Sequence, residues 1–194
     1  MFRGRATDVA LFAAGVALFA WSRRLVVDGE VPPEEERVFR WANEAPDAIR
    51  APVRAVMQMG TFGTVPAVAA VALLAGRRHL AGAVGLGGTA AWLLAKQAKP
   101  LGGRARPEKL LPDVRIREPI AGDLGWVSGH TAVATTIAVT SWRSVPGWAR
   151  PLLLGGVGAT GYGRMYVGAH LPLDLVGGAG LGLAISAFTR GLAR

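Results

Sequence analysis

The stretch LGWVSGHTAVATTIAVTSW, residues 124–142, decides the fold class of this chain. It contains no Asp, Glu, Lys or Arg, and a transmembrane helix needs about 20 predominantly apolar residues. Ser128 stands where a helix N-cap is favoured, because its hydroxyl can accept a hydrogen bond from an N–H of the first turn. We therefore expect an apolar helix that begins near Ser128 and crosses a membrane.

Five more uncharged apolar stretches lie at residues 9–22, 55–76, 80–95, 151–163 and 175–189. Several are short for a span, and runs of roughly 10–14 apolar residues are more often buried helices of soluble proteins. Most of these stretches are apolar on all sides, however, whereas a soluble bundle should show polar outer faces. Arginines at their ends can also snorkel to the interface and lengthen the helices. The sequence predicts one domain, residues 1–194, with the fold of an all-α integral membrane bundle of six transmembrane helices.

The segment between the first two stretches, residues 28–54, has a different composition. It contains Pro-Pro-Glu-Glu-Glu at residues 32–36, and prolines and acids are favoured at a helix N-terminus. We expect an interfacial helix between spans 1 and 2. The apolar residues expected to dip into the bilayer surface are Val38, Phe39, Trp41 and Ala42.

The net charge of +9 arises from 22 Lys and Arg against 13 Asp and Glu. A basic nucleic-acid binder would interleave aromatic residues with its charges. Here the basic residues lie mainly at the ends of the apolar stretches, and most of the six tryptophans lie within or beside those stretches. We therefore expect the chain to be embedded in a membrane with lipid phosphates as partners, and we expect no nucleic acid.

The distribution of charge also predicts an orientation. If the helices alternate in direction, one side of the membrane carries eight basic residues and one acidic residue, and the other carries fourteen and twelve. Lys and Arg concentrate in short cytoplasmic loops. We expect a multi-pass protein of the plasma membrane with both termini in the cytoplasm, while the oligomeric state stays open.

Three polar clusters fall at span ends on the extracytoplasmic side of this topology. The first occupies residues 99–107, with Lys99 and Arg106 on either side of the Gly102-Gly103 pair. A lysine point charge and an arginine fork around a tight turn suit a multiply charged phosphate. The alternative is a basic patch that anchors the chain to lipid headgroups.

The second cluster is Ser128-Gly129-His130, at the predicted helix start. The N–H groups of a helix N-terminus form an anion site. Gly129 permits close approach to these groups, and His130 can protonate a leaving oxygen. The alternative is an ordinary serine cap beside an interfacial histidine.

The third cluster comprises Arg164, His170 and Asp174. A carboxylate near an imidazole fixes its tautomer and leaves the other ring nitrogen as a nucleophile, so His170 is the candidate nucleophile. The alternative makes Asp174 a first-turn acid behind Pro172 and Arg164 a helix-end anchor. That alternative does not explain why a histidine lies there.

The supply of metal ligands is small. The chain has no cysteine, which excludes disulfides and thiolate sites, and its three histidines are His79, His130 and His170. The acidic residues around the three clusters do not group as a metal site would require. We therefore expect no metal and no cofactor.

Together the three clusters resemble the signature of the type 2 phosphatidic acid phosphatase (PAP2) family, which is related to the vanadium haloperoxidases. That signature is lysine, six residues, arginine-proline; then Pro-Ser-Gly-His; then Ser-Arg, five residues, histidine, three residues, aspartate. Its order and every internal spacing fit between Lys99 and Asp174. Two positions depart from it: Val127 replaces the proline, and Gly163 replaces the serine. The change at Gly163 removes one hydroxyl that could contact phosphate.

The resemblance implies a metal-independent membrane lipid phosphatase that acts on the phosphate or diphosphate headgroup of a polyprenyl lipid or a glycerophospholipid. By that resemblance His170 attacks phosphorus and forms a phosphohistidine, Asp174 orients His170, and His130 is the general acid for the leaving group. The residues that would bind the substrate phosphate are Lys99, Arg106, Ser128, Gly129 and Arg164.

Two alternative functions remain open from the sequence. A lipid-linked phosphotransferase would resolve the same phosphohistidine with an alcohol instead of water. A non-catalytic lipid-binding or transport protein would keep the basic pocket and would not need His170. A haloperoxidase fits less well, because those relatives are soluble and hold vanadate.

Overall fold

A computed structural model describes residues 2–192 of the chain, with side chains described for residues 5–190. Three residues at the ends of the chain lie outside this range: Met1, Ala193 and Arg194. They belong to the predicted domain and to the termini predicted to be cytoplasmic. Residues 2–192 form nine α-helices, three short 3₁₀ turns and no β-strand, which confirms the all-α prediction. The helices are α1 (Phe2–Val26), α2 (Pro33–Asn43), α3 (Arg50–Met57), α4 (Thr64–Leu74), α5 (Arg78–Gly102), α6 (Pro107–Leu110), α7 (Gly129–Ser141), α8 (Arg150–Tyr166) and α9 (Pro172–Leu192).

Helix α9 packs between α1 and α7, and glycines bring these backbones together. A Cβ atom at Gly180 would lie 2.6 Å from the backbone nitrogen of Phe19 in α1. A Cβ atom at Gly182 would lie 2.6 Å from the carbonyl oxygen of Ala132 in α7. Small residues of this kind allow membrane helices to approach closely enough for extensive van der Waals contact. This packing fixes the N-terminal end of α9 beside the start of α7.

Two helices are long and apolar enough to cross a membrane, at Arg5–Val26 and Pro172–Arg190. A third candidate is a bent pair, Asp47–Gly60 followed by Thr64–Leu74, whose two parts meet at 67°. The described part of the chain therefore contains two such spans, or three if the bent pair is one span. Within the described residues, the remaining helices of the predicted six-helix membrane bundle are not long and apolar enough to count as spans.

The bend changes the second predicted span, because the stretch 55–76 does not form one continuous helix. Gly60 packs so closely against α7 that an added Cβ would lie 2.6 Å from the carbonyl oxygen of His130. The hydroxyls of Thr61 and Thr64 donate to the carbonyl of Gln58, at 2.8 and 2.7 Å. The backbone N–H of Thr61 donates to the same carbonyl at 3.0 Å, so three donors converge on Gln58 at the break.

The predicted helix start at Ser128 is confirmed. Helix α7 begins at Gly129, and the Ser128 hydroxyl accepts a hydrogen bond from the backbone N–H of Thr131. The preceding residues 124–127 form a non-helical segment that runs along the end of α5. The apolar stretch 124–142 is therefore part loop and part helix.

The predicted helix between the first two stretches is present as α2. Val38 and Trp41 are exposed, and the interfacial position of α2 stays a prediction. Phe39 and Ala42 are fully buried in a cluster with Leu171, so the prediction that these two dip into the bilayer surface is wrong. At helical spacing, these two positions fall on the face that packs against α8 and the loop before α9.

Candidate active site

A cavity of about 490 Å³ opens between α3, α5, α7 and α8. Its volume lies in the range of pockets that enclose small ligands, roughly 300–1,000 Å³. Six of the eight residues singled out in the sequence line it, whereas Ser128 and Asp174 lie fully buried behind its wall. The six are Lys99, Arg106, Gly129, His130, Arg164 and His170.

His170 lies in the loop before α9, with its ring held from both sides. Its Nδ1 is 3.3 Å from Oδ2 of Asp174, which also accepts a hydrogen bond from the backbone N–H of Leu171 at 3.0 Å. Its Nε2 is 3.2 Å from Nη1 of Arg106. Because a carboxylate and a guanidinium flank the ring, this network assigns the proton to Nδ1 and the lone pair to Nε2. The lone pair is the feature that a nucleophile requires.

The surroundings of His170 keep its ring neutral. Burial lowers the pKa of His170 well below its ordinary value of 6.5, and the cations Arg164, Arg106 and Lys99 lower it further. Removal from water disfavours the charged imidazolium, and neighbouring positive charges disfavour it again. These surroundings therefore favour the free base of His170 at neutral pH.

Arg106 is fixed by backbone carbonyls instead of carboxylates. Its guanidinium donates to the carbonyl of Ala169 at 2.7 Å, of Ala121 at 2.8 Å and of Gly122 at 3.2 Å. Burial lowers the pKa of this guanidinium from its ordinary value, but an arginine stays charged in proteins. Carbonyls orient the cation without neutralising it, so its charge remains available to an anion.

Lys99 is held in the same way. Its Nζ donates to the carbonyls of Leu124 at 2.9 Å, Gly125 at 3.1 Å and Val127 at 3.4 Å. Gly103, with a φ of +62°, ends α5 one turn later in the left-handed conformation that glycine adopts readily. The Gly-Gly pair of the sequence therefore serves as the helix C-cap, which lets the chain turn from Lys99 back to Arg106.

Arg164 carries a carboxylate partner that the sequence analysis did not identify. Its Nη1 lies 2.7 Å from Oε1 of Glu118, which itself lines the cavity. The Nε of Arg164 is buried and has no hydrogen-bond partner among the described residues. No spacing rule connects the loop that contains Glu118 with α8, so nothing in the sequence indicated the pair.

Ser128 and Gly129 occupy different positions relative to the cavity. The Ser128 hydroxyl accepts from the N–H and the hydroxyl of Thr131, at 3.4 and 3.1 Å, and it is fully buried. Gly129 lines the cavity, and a Cβ there would meet only Ala95, at 3.7 Å. A phosphate contact by Ser128 stays a prediction, while Gly129 leaves the helix N-terminus open to a ligand.

The two departures from the PAP2 signature lie in packed surroundings. Val127 is fully buried in the apolar core. A Cβ at Gly163 would lie 3.1 Å from Cβ of Met57, so Met57 fills the space into which a serine at 163 would extend. Glycine at 163 and the bulky Met57 side chain are therefore matched to each other.

A second buried network supports Asp174 from behind. The guanidinium of Arg104 lies 3.6 Å from Oδ1 of Asp174 and donates to the carboxylate of Glu35 at 2.8 and 2.5 Å. Arg104 belongs to the basic cluster of the sequence, but neither it nor Glu35 was given a role there. Glu35 is indistinguishable in sequence from its acidic neighbours, and only its burial singles it out.

Metal ligands are not brought together in this region. Within residues 2–192 no group of three or more His, Cys, Asp or Glu side chains is placed to hold a metal ion. The expectation of metal-independent chemistry stays a prediction that a chelator can test.

Comparison with known proteins identifies relatives of this chain. The sequence model of the PAP2 superfamily matches residues 78–193. An undecaprenyl-diphosphatase of Sulfolobus acidocaldarius is 33% identical over 94 residues, which cover 48% of this chain and 46% of that protein. The match thus spans about half the length of this curated relative.

Two crystal structures share the fold. LpxE of Aquifex aeolicus superposes with a TM-score of 0.72 at 24% identity, covering 80% of this chain and 93% of that one. The transmembrane PAP2-type phosphatidylglycerolphosphate phosphatase of Bacillus subtilis superposes with a TM-score of 0.69 at 18% identity, covering 92% and 95%. At these identities the likeness concerns the fold.

Proposed function

This chain belongs to the PAP2 superfamily, and on that premise we propose that it is a membrane lipid phosphatase that works through a phosphohistidine. The substrate is the phosphate or diphosphate headgroup of a polyprenyl lipid or a glycerophospholipid. The observation that carries the proposal is the placement of His170, whose Nε2 lies 3.2 Å from Arg106 while Nδ1 lies 3.3 Å from Asp174. An imidazole held in one tautomer beside a cationic pocket is suited to attack phosphorus.

In the first step Nε2 of His170 attacks the phosphorus and the bond to the leaving oxygen breaks. Asp174 stabilises the positive charge that develops on the ring. Arg106 exchanges its contact with Nε2 for a phosphate oxygen, and Lys99 and Arg164 bind further oxygens. Uncatalysed hydrolysis of phosphate monoesters is so slow that enzymes accelerate it by up to about 10²¹-fold, so cations fixed before the reaction must supply much of the stabilisation.

His130 supplies the proton that the leaving oxygen requires. It lines the same cavity as His170, in the first turn of α7. A positioned general acid contributes roughly 10²–10⁴-fold. In the second step water attacks the phosphohistidine, His130 takes a proton from that water, and inorganic phosphate leaves.

The position of the site suits a lipid whose chain stays in the bilayer. We further propose that six segments span the plasma membrane, with the bent pair α3 and α4 as one of them. Both termini then lie in the cytoplasm, and the cavity opens at the extracytoplasmic face. In this arrangement α2 lies at the membrane surface, where Val38 and Trp41 meet lipid.

The test is phosphate release by the purified chain from a panel of lipid phosphates and diphosphates, with EDTA present. We expect His170→Ala to lower the rate by roughly 10⁴-fold or more, as loss of a nucleophile does in other enzymes. His79→Ala is the matched control, because His79 is exposed and lies outside the cavity lining. Rapid acid-free quenching should trap phosphate on the native chain and not on His170→Ala.

Equal release by native protein and His170→Ala would overturn the nucleophile assignment. Loss of activity on chelation would overturn the metal-independent mechanism.

A further inference from the structure

The active-site cavity carries more positive charge than one phosphate needs. Its inner part, around His170, contains Lys99, Arg106, Arg164 and the carboxylate of Glu118. Three cations and one carboxylate leave a net charge of +2 there. A phosphate monoester carries about −1.5 to −2 charges at neutral pH, so the inner part already matches a single phosphate group.

Two further cations line the outer part of the same cavity. Arg54 on α3 and Lys96 on α5 are exposed, and neither forms an ion pair with a carboxylate among the described residues. The Nζ of Lys96 lies 3.4 Å from the ring centroid of Trp92, which holds the cation against an aromatic wall of the cavity. Both charges therefore face the cavity without a partner of opposite sign.

The outer cations lie at a suitable offset from the inner ones. Lys96 precedes Lys99 by three residues on one helix, which places the two on the same face about 4.5 Å apart along the axis. Arg54 lines the cavity from α3, three residues before Met57, which also lines the cavity. The cavity thus has an inner and an outer cationic position in succession.

We propose that Arg54 and Lys96 form a second anion subsite, which holds the lipid-proximal phosphate of a lipid diphosphate while the terminal phosphate lies against His170. This inference rests on the proposed phosphatase function and narrows its substrates to lipids with two adjacent phosphate groups. Nε2 of His170 forms a bond to the terminal phosphorus, and the bond from that phosphorus to the bridging oxygen breaks. The lipid monophosphate departs with the electron pair, and water then releases the terminal group as inorganic phosphate.

The outer subsite acts on the leaving group in this scheme. When the bridging bond breaks, negative charge develops on the lipid-proximal phosphate, which lies between Arg54 and Lys96. Cations placed where charge develops lower the barrier. A lipid monophosphate has no phosphate at this position, so the two residues distinguish the substrate classes.

The experiment compares farnesyl diphosphate with farnesyl monophosphate, which share one lipid tail. Phosphate release is measured for the full chain in detergent as native protein, Arg54→Gln, Lys96→Gln and the double variant. Arg115→Gln is the matched control, because Arg115 is an exposed cation in the loop that leads to Glu118 and does not line the cavity. We expect the double variant to lower kcat/KM for the diphosphate about five- to tenfold more than for the monophosphate, as two partly exposed charge contacts would.

Losses in equal proportion on both substrates, or no loss, would overturn the subsite. A binding measurement distinguishes failure of the proposed subsite from failure of the proposed phosphatase function. The native chain should bind farnesyl methylenediphosphonate more tightly than farnesyl phosphonate, and the double variant should lose that preference. Absence of the preference in the native chain overturns the subsite, whereas absence of hydrolysis with the preference intact overturns only the phosphatase function.

Discussion

Glu35 and Arg104 form a buried two-pronged ion pair, with Oε1 2.8 Å from Nη1 and Oε2 2.5 Å from Nη2. Their side chains are 4% and 0% exposed. The same guanidinium lies 3.6 Å from Asp174, and Glu35 also accepts from the backbone N–H of Leu173 at 2.8 Å. The pair thereby ties α2 to the first turn of α9 and to the carboxylate that faces His170.

Arg104→Met should destabilise the chain by about 3–5 kcal/mol, because it leaves a buried carboxylate without its partner. Its kcat should also fall, since Asp174 loses the cation behind it. Thermal and denaturant unfolding in detergent measures the first effect, and phosphate release measures the second. Arg37→Met is the control, because Arg37 pairs with Glu34 at the surface and such pairs contribute about 0–1 kcal/mol.

The double variant Glu35→Gln with Arg104→Met separates structure from catalysis. It should regain part of the lost stability, because no unpaired charge remains at position 35. Its kcat should stay low, because Asp174 is still without its cation. A double variant with native kcat would show that Arg104 serves Glu35 alone.

The pH profile should report the depressed pKa of His170. In the proposed mechanism the free base of His170 is the nucleophile, so kcat/KM should fall as the pH drops through that pKa. The acid limb set by the enzyme should lie below pH 6.5. Arg164→Gln removes one of the charges that lower the pKa, so its acid limb should move to higher pH, with a lower maximum rate. Arg115→Gln should not move the limb. A shift of the Arg164→Gln limb to lower pH would contradict the assignment of His170.

Gly129→Ala should weaken substrate binding without lowering the stability of the fold. A Cβ at this position meets only Ala95, at 3.7 Å, so the chain should keep its stability or gain up to about 1 kcal/mol. The methyl group extends from the helix N-terminus that lines the cavity, so the phosphate is held off and KM should rise roughly tenfold, about the effect of one lost hydrogen bond to a charged group. Gly85→Ala is the control, since a Cβ there meets nothing within 4 Å and Gly85 lies outside the cavity lining. Unchanged kinetics in Gly129→Ala would show that the phosphate does not approach this backbone.

Glu118→Gln should strengthen anion binding. The carboxylate of Glu118 holds Arg164 at 2.7 Å and lines the cavity. In the proposed mechanism it therefore competes with phosphate for the same guanidinium. A neutral amide keeps one hydrogen-bond acceptor and removes the repulsion. The inhibition constant for inorganic phosphate should fall about three- to tenfold, as expected for the loss of one nearby like charge.

Glu34→Gln is the matched control for this measurement, because Glu34 is exposed, pairs with Arg37 at the surface and does not line the active-site cavity. An unchanged or raised inhibition constant in Glu118→Gln would mean that phosphate does not use Arg164.

Local features of the site followed from the sequence because their causes lie close along the chain. Ser128 caps α7 as predicted, since a cap depends on neighbours within one turn. His170 and Asp174 are four residues apart, and a loop entering a helix brings them within 3.3 Å. Separate motifs could be assigned to one pocket because their order and spacing resembled a known family.

Features that depend on distant packing did not follow from the sequence. The stretch 55–76 is uncharged throughout, yet it bends at 67° just after Gly60, where the chain packs against α7. Phe39 looked like a membrane-facing residue, and contacts with Leu171 bury it instead. Composition and periodicity describe one segment at a time, so they could not indicate these contacts.

The sequence by itself determined that the chain is all-helical and apolar, and that its polar motifs have the order and spacing of one family. The residues of those motifs are Lys99, Arg106, Arg164, His170 and Asp174. Helix formation and motif spacing are local properties, so the sequence alone could determine them. Only the tertiary structure decided which charges neutralise one another. Glu118 lies 46 residues from Arg164 and Glu35 lies 69 from Arg104. The burial that decides which of these charges pair with each other exists only once the helices have packed.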